Sequence, residues 1–202
     1  GHYDRAFIAL HGRFGEDGTI QGVLEYLGLP YTGPGVQASA VAIDKSATRI
    51  VGQAAGLPVA EGLTVTSADE AGRVARELGS SVVVKPDNEG SSIGVTKLKD
   101  ATEADIRAAL ETALKLDRRV LVEKRVFGRE FTVAILNGKA QAIIEIKAPE
   151  GDYDYRNKYF GNAVKYDCPA QLTTPQRAPS LRNSYRRHAL PSAPGNAASC
   201  RG

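Results

Sequence analysis

The chain has 202 residues, 42% of them apolar and 24% charged, which is enough for one large or two small domains with a buried core. That balance excludes a disordered chain, a collagen-like repeat and, with two cysteines, a disulfide-stapled mini-protein. No apolar run reaches the roughly 18 residues of a membrane-spanning helix, and no basic-then-apolar signal segment opens the chain.

The net charge of +3 is unevenly placed. Every acidic residue lies between Asp4 and Asp167, whereas residues 177–202 carry five arginines and no acid. Without those arginines, 21 basic residues stand against 23 acidic ones, so the basic balance belongs to the tail and gives no reason to expect a nucleic-acid partner. Methionine is absent even at position 1, which leads us to expect an internal fragment or a lost start.

In chain order, Arg5–Leu10 predicts a short buried strand that runs into the loop H-G-R-F-G-E-D-G at 11–18. Ile20, Val23, Leu24 and Leu27 have helical spacing, with Gly28 and Pro30 as the stop. Residues 31–36 predict a turn, and a second helix is expected over Ala38–Ala55. Strand, loop and helix in alternation indicate an α/β layer arrangement here. Beyond Pro58, a strand is predicted at Leu63–Val65 and a capped helix at Ser67–Leu78. A β-branched strand at Ser81–Lys85 follows, stopped by Pro86, and a further strand at Ile93–Leu98. Thr102–Leu116 predicts a helix capped by Thr102, with Ile106, Leu110 and Leu114 on one stripe. Three strands complete the pattern, at Val120–Val126, Glu130–Leu136 and Ala140–Lys147, with Asn137–Gly138 as a hairpin signal. Residues 150–160 are polar and tyrosine-rich, the composition of a long functional loop. Past Pro175 periodicity is lost, and 177–202 are expected to be disordered or poorly packed.

The sharpest chemical feature is V-V-V-K-P-D-N-E-G-S-S-I-G-V at 82–95. A lysine at the end of a buried strand, followed by a Gly/Ser loop, puts an ammonium beside backbone N–H groups, the combination that holds polyphosphate. An ordinary hairpin with a glycine loop explains the same composition equally well. It is not a Walker loop, because no G-K-[ST] opens a helix. In V-L-V-E-K-R-V-F-G-R-E-F-T-V at 120–133, Glu123 and Glu130 bracket a connector against which a purine could lie; two surface acids are the plainer alternative. His11 and the acids after it end a strand where α/β folds place ligands, or serve as local caps. Lys45 falls on a predicted helix, where an exposed lysine is the default. Cys168 and Cys200 have no metal or redox spacing and read as inert thiols in a reducing, cytoplasmic compartment.

The succession H-G-x-x-G-E-D-G, Y-T-G-x-G-V-x-A-S-A-x-A-x-D-K, V-K-P-x-x-E-G-S-S-x-G-V, E-K-x-x-x-G-x-E-F-T-V and Y-D-Y-x-x-K-Y resembles the D-alanine–D-alanine ligases of the ATP-grasp superfamily, over about residues 3–172. The resemblance implies a mixed α/β and α+β architecture, an ATP-grasp fold that is incomplete. It would comprise a partial N-terminal α/β substrate domain (1–57), a central ATP-grasp module (58–147), a lid loop with the start of the C-terminal module (148–176), and a non-family tail (177–202).

It further implies that Lys45 and Lys85 contact phosphate. Glu89, Gly90, Ser91, Ser92 and Gly94 would lie in the loop that closes over the phosphates, with Ser91 near the reacting carboxylate. Lys124 and Val126 would offer backbone to adenine with Glu123 nearby, and Glu130 would bind the ribose. His11 and Glu16 would belong to a substrate-side loop. Lys158 and Tyr159 would belong to the lid over the D-alanine site, a tyrosine-containing lid being the type found in ligases that make D-Ala–D-Ala.

The implied reaction is ATP-dependent joining of two D-alanines through an acyl phosphate for peptidoglycan synthesis. The intact family member is implied to be a cytoplasmic homodimer with no membrane partner. Mg2+ is expected of the family, but its C-terminal Asp, Glu and Asn ligands have no counterpart after Gln176. Impaired activity is therefore expected of this chain, and an out-of-frame continuation would look like its tail. The alternatives are a non-catalytic ATP-binding remnant and another ATP-grasp carboxylate–amine ligase.

Overall fold

The computed structural model describes residues 2–136, 139–148 and 164–173. Its centre is a four-stranded antiparallel sheet built from β1 (Gly62–Val65), β2 (Val82–Pro86), β3 (Thr96–Lys97) and β4 (Val120–Lys124), in the order β1-β4-β2-β3. Period-two alternation sets its two faces. Val82, Val84 and Pro86 of β2 and Val120 and Val122 of β4 point to one side and are fully buried. Val83, Lys85, Leu121 and Glu123 alternate with them, so they take the opposite face.

Two helices cover the apolar side. One is α4 (Ala71–Leu78), entered through a 3-10 turn at Ala68–Glu70; the other is α5 (Glu103–Leu114). Ala71, Val74 and Leu78 of α4 and Ile106, Ala109, Leu110 and Ala113 of α5 close the core against the valines. The predicted cap of α5 is present as a capping box: Asp105 N–H donates to Thr102 Oγ1 (3.3 Å), and Thr102 N–H donates to the Asp105 carboxylate (2.8 Å).

The N-terminal segment contributes three helices, α1 (Thr19–Tyr26), α2 (Val36–Ile43) and α3 (Lys45–Ala54). Two expectations need correction here. The single helix predicted over 38–55 is broken at Asp44, whose backbone is extended (ψ 104°) and whose carboxylate caps α3 by accepting from Ala47 N–H at 2.7 Å. An N-cap side chain competes with helix continuation, and the apolar periodicity spanned the break without registering it. The strand predicted at Arg5–Leu10 is reduced to one parallel bridge, Ala6 with Tyr31, leaving Phe7 81% and Leu10 56% exposed. An apolar run becomes a buried strand only where other backbone lies alongside it, and here residues 30–32 hydrogen-bond to it over a single bridge.

Smaller differences follow the same logic. The strand expected at Ile93–Leu98 shortens to Thr96–Lys97, because Ile93 N–H and Val95 N–H turn back to the carbonyls of Gly90 and Ser92. β4 stops at Lys124 rather than Val126.

A second antiparallel sheet, ordered β5-β6-β7, joins β5 (Glu130–Leu136), β6 (Lys139–Lys147) and an unanticipated β7 (Lys165–Asp167). Leu136 faces Lys139, with the Asn137–Gly138 signal between them outside the described residues. Arg129 holds this sheet by a two-pronged ion pair: Nε and Nη2 donate to the two oxygens of buried Glu145 at 2.7 and 2.6 Å, and Nη2 also donates to Gln171 O. No helix among the described residues is long and apolar enough to cross a membrane.

Arg129 keeps the Glu145 carboxyl below its usual value of 4.5. A lowered folded-state pKa adds stability above the unfolded value and loses it as pH falls through the folded one. The gap in thermal midpoint between wild type and Glu145→Gln is therefore expected to be widest above about pH 5 and to shrink steadily below pH 4.5. A melting series from pH 7 to pH 3 checks it; a gap independent of pH contradicts it.

Candidate nucleotide site

The face of the central sheet opposite the core carries the polar chemistry. Lys85 stands across from Leu121 in the register of β2 and β4, with Glu123 one pleat further along the same face. This diagonal placement lets Lys85 Nζ pair with Glu123 Oε2, and both side chains are mostly buried. Above them, α3 and residues 57–60 close a cavity of about 480 Å3 whose walls include Val51, Leu57, Val59 and Leu121 and whose charged lining is Lys45, Arg49, Lys85 and Glu123.

Lys45 is the first residue of α3. Its ammonium donates to Asp87 O (3.2 Å) and to Glu89 O, so a helix start and the exit of β2 are fastened at one point. Burial lowers the Lys45 pKa, and the nearby charge of Lys85 lowers it further, against the opposing pull of Asp87, Glu89 and Asp117. An ammonium disfavoured by burial and by a second ammonium nearby is a site that an anion relieves.

The Gly/Ser loop follows directly. Ser91, Ser92 and Gly94 all have positive φ (50°, 62° and 69°). At Gly94 a Cβ would lie 2.4 Å from Leu116 Cδ1 and 2.8 Å from Pro86 Cγ, so that position admits only glycine. Glu16 reaches this loop from the other side: its Oε2 lies 3.6 Å from where a Gly90 Cβ would be, while it accepts from Gly12 N–H. The 11–18 loop is pinned by Asp17, which accepts from Phe14 N–H (2.9 Å) and Thr19 N–H (3.0 Å); burial raises its pKa, but these bonds outweigh burial and leave it lowered.

The remaining expected residues are placed less tightly. His11 is exposed on the same loop as Glu16. Lys124 N–H donates to Glu61 O (2.8 Å) and its ammonium pairs with the Glu61 carboxylate. Val126 and Phe127 are exposed, with the Arg125 guanidinium 5.0 Å from the Phe127 ring centroid. Glu130 is exposed at the start of β5. Lys158 and Tyr159 lie outside the described residues, as do Cys200 and the 177–202 tail. Cys168 is exposed and free.

Motif reading passed over the group that fastens Lys45. Asp87 is fully buried and accepts from Ser46 N–H (2.9 Å) and Ser46 Oγ (2.8 Å), while Arg119 bridges Asp87 and Asp44. Asp117 accepts from Asn88 N–H (2.7 Å) and Asn88 Nδ2 (2.9 Å). The only sequence signal for these was an acid directly after K-P, a position the motif leaves variable.

Residues 51–188 match the family model described as the D-ala D-ala ligase C-terminus, and residues 1–34 match that of the N-terminus. The chain belongs to the D-alanine–D-alanine ligase family. A D-alanine–D-alanine ligase of Bordetella avium is 50% identical over 174 residues, which cover 84% of this chain and 54% of that protein. Among solved structures, a D-alanyl-alanine synthetase A from Vibrio cholerae superposes with a TM-score of 0.78 at 33% identity, covering 91% of this chain and 58% of the other. The VanG D-Ala:D-Ser ligase from Enterococcus faecalis superposes with a TM-score of 0.76 at 28% identity, covering 93% and 56%. The fold is therefore that of the ATP-grasp ligases, in part: the chain spans about half the length of the curated relatives it matches.

Proposed function

We propose that this chain carries the nucleotide-binding centre of an ATP-dependent carboxylate–amine ligase that joins two D-alanines for peptidoglycan synthesis. The observation that carries the reading is the meeting of Lys45 and Lys85 in the lining of a single cavity, with Lys45 Nζ also donating to Glu89 O at the start of the Gly/Ser loop. On this reading Lys45 and Lys85 take the phosphates, and Lys85 exchanges its pairing with Glu123 for phosphate oxygen. Residues 89–94 fold over the transferring group and exclude water, with Ser91 facing the reacting carboxylate. Lys124, Val126 and Glu130 serve the base and ribose, His11 and Glu16 the first D-alanine, and Lys158 and Tyr159 the lid. One D-alanine carboxylate attacks the ATP γ-phosphate and releases ADP; the second D-alanine's amine then attacks the acyl carbon, expelling inorganic phosphate and losing a proton to form the peptide bond.

The domain reading is then an N-terminal substrate part (1–57), a central module (58–147) and a lid with the start of the C-terminal module (148–176). The intact enzyme would be a cytoplasmic homodimer, as the resemblance implies. A relative at 50% identity that bears the D-alanine–D-alanine ligase name favours D-alanine over D-serine as second substrate, VanG being 28% identical.

The acids beside the lysines do not fit Mg2+. Asp44 and Asp87 are bound to Arg119, Glu123 to Lys85 and Asp117 to Asn88, and no cluster of three metal-ligating side chains occurs among the described residues. We assign no step to the metal. The same engagement of acids favours a second reading, nucleotide binding without turnover.

Titration calorimetry of the folded chain with ATP is expected to show saturable one-site binding, and its absence overturns the proposal. Phosphate release with ATP, D-alanine and Mg2+ separates the ligase from the binding-only reading.

A further inference from the structure

We propose that Asp87 is the positioning residue for Lys45, a buried carboxylate that locks the start of α3 onto the exit of β2 and so sets where the Lys45 ammonium meets its anion. The proposal rests on the nucleotide-binding reading above.

All three polar groups of Asp87 take part. The carboxylate oxygen Oδ1 accepts from Ser46 N–H and Ser46 Oγ at 2.9 and 2.8 Å, and Oδ2 lies 3.0 Å from Arg119 Nη2. The main-chain N–H donates to Arg119 O at 3.1 Å. The main-chain carbonyl accepts from Lys45 N–H at 3.0 Å and from Lys45 Nζ at 3.2 Å. Arg119 extends the lock to Asp44, the cap of α3, and Ser46 Oγ lies 2.7 Å from Thr64 Oγ1 of β1.

The lock matters because the carbonyls that hold Lys45 Nζ, those of Asp87 and Glu89, belong to the segment that the Asp87 carboxylate ties to α3. Lys45 follows a break between two helices, 42 residues from Asp87 in sequence, and ends in a long flexible side chain. A buried carboxylate with three such contacts is costly to rearrange, so it can hold that side chain in one geometry. The Asp87 carboxylate contacts Ser46 and Arg119 and its carbonyl accepts from Lys45, so its influence on an anion runs through Lys45.

The test uses the whole chain and two readouts. Hydrogen exchange measured by mass spectrometry on Asp87→Ala is expected to show exchange about tenfold or more faster at residues 45–49 and 88–95, with α5 (103–114) unchanged. No change at 45–49, or equal acceleration in α5, overturns the proposal, the latter because it marks a merely structural role. In the second arm, Asp87→Ala is expected to weaken ATP binding about tenfold in the wild-type background but less than twofold in Lys45→Ala. Equal losses in both backgrounds overturn it. Should Asp87→Ala fail to fold, Asp87→Asn keeps the acceptor for Ser46 and removes the charge facing Arg119, and the same criteria apply to it. If wild type binds no ATP, the nucleotide reading fails, while the exchange arm still decides whether Asp87 locks Lys45.

Discussion

Lys85→Ala is expected to weaken ATP binding by about 100-fold, the largest effect of any single change in the site. Two losses combine. A hydrogen-bonded ammonium facing phosphate is worth about 1.5–3 kcal/mol, and each 1.4 kcal/mol is about tenfold in affinity. The Glu123 carboxylate, with only 18% of its side chain exposed, is also left without its counter-charge, facing an incoming polyanion. Removing that carboxylate as well should recover part of the loss, so Lys85→Ala/Glu123→Ala is expected to bind about tenfold better than Lys85→Ala alone. Calorimetry on the three proteins checks this. A double variant no better than the single would show that Glu123 does not oppose the nucleotide.

Leu110→Ala is expected to lower stability by about 3 kcal/mol, within the 2–5 kcal/mol typical of emptied core positions. Leu110 is completely buried in α5 and belongs to the cluster that joins both helices to the valines of β2 and β4. The removed methyl groups leave a cavity that a close-packed helix–sheet interface fills only in part. Against a total stability of 5–15 kcal/mol, typical of a domain, such a loss is severe. In urea the midpoint should fall while the slope stays unchanged. Leu136→Ala is the control: Leu136 is 64% exposed, and a change within about 0.5 kcal/mol is expected there. Comparable losses at the two positions would mean that the core does not lie where the burial pattern puts it.

Both variants strike features that are visible in the amino-acid order. The alternation of V-V-V-K assigns Lys85 to the face opposite Val82 and Val84, and helical spacing puts Ile106 and Leu110 on one stripe behind the Thr102 cap. The break at Asp44 was hidden, because the acid that ends one helix and caps the next sits inside an apolar periodicity that is continuous across it. β7 was hidden too: three residues, K-Y-D, have no pattern of their own and become a strand only by pairing with Glu145–Lys147. The run at 5–10 failed in the opposite sense, having the pattern of a buried strand with a single bridge to support it.

By itself, then, the sequence determined what depends on near neighbours. It set the face each strand residue takes, the capping of α5, the family signature, and the requirement for glycine in a loop of positive φ. Tertiary structure alone decided the pairings across chain distance: Lys85 with Glu123, 38 residues apart; Lys45 with Glu89, 44 apart; and Arg119 with Asp44, 75 apart. Caps and alternation follow from bond geometry and hydration within a turn or a pleat. Which distant charge neutralises which depends on loop closures whose entropy grows only slowly with length, so chain separation hardly discriminates among partners. Asp87 shows the difference most plainly. In the sequence it is an acid after a proline at a position the motif leaves unspecified; in the fold it is the buried group that joins two segments around a lysine.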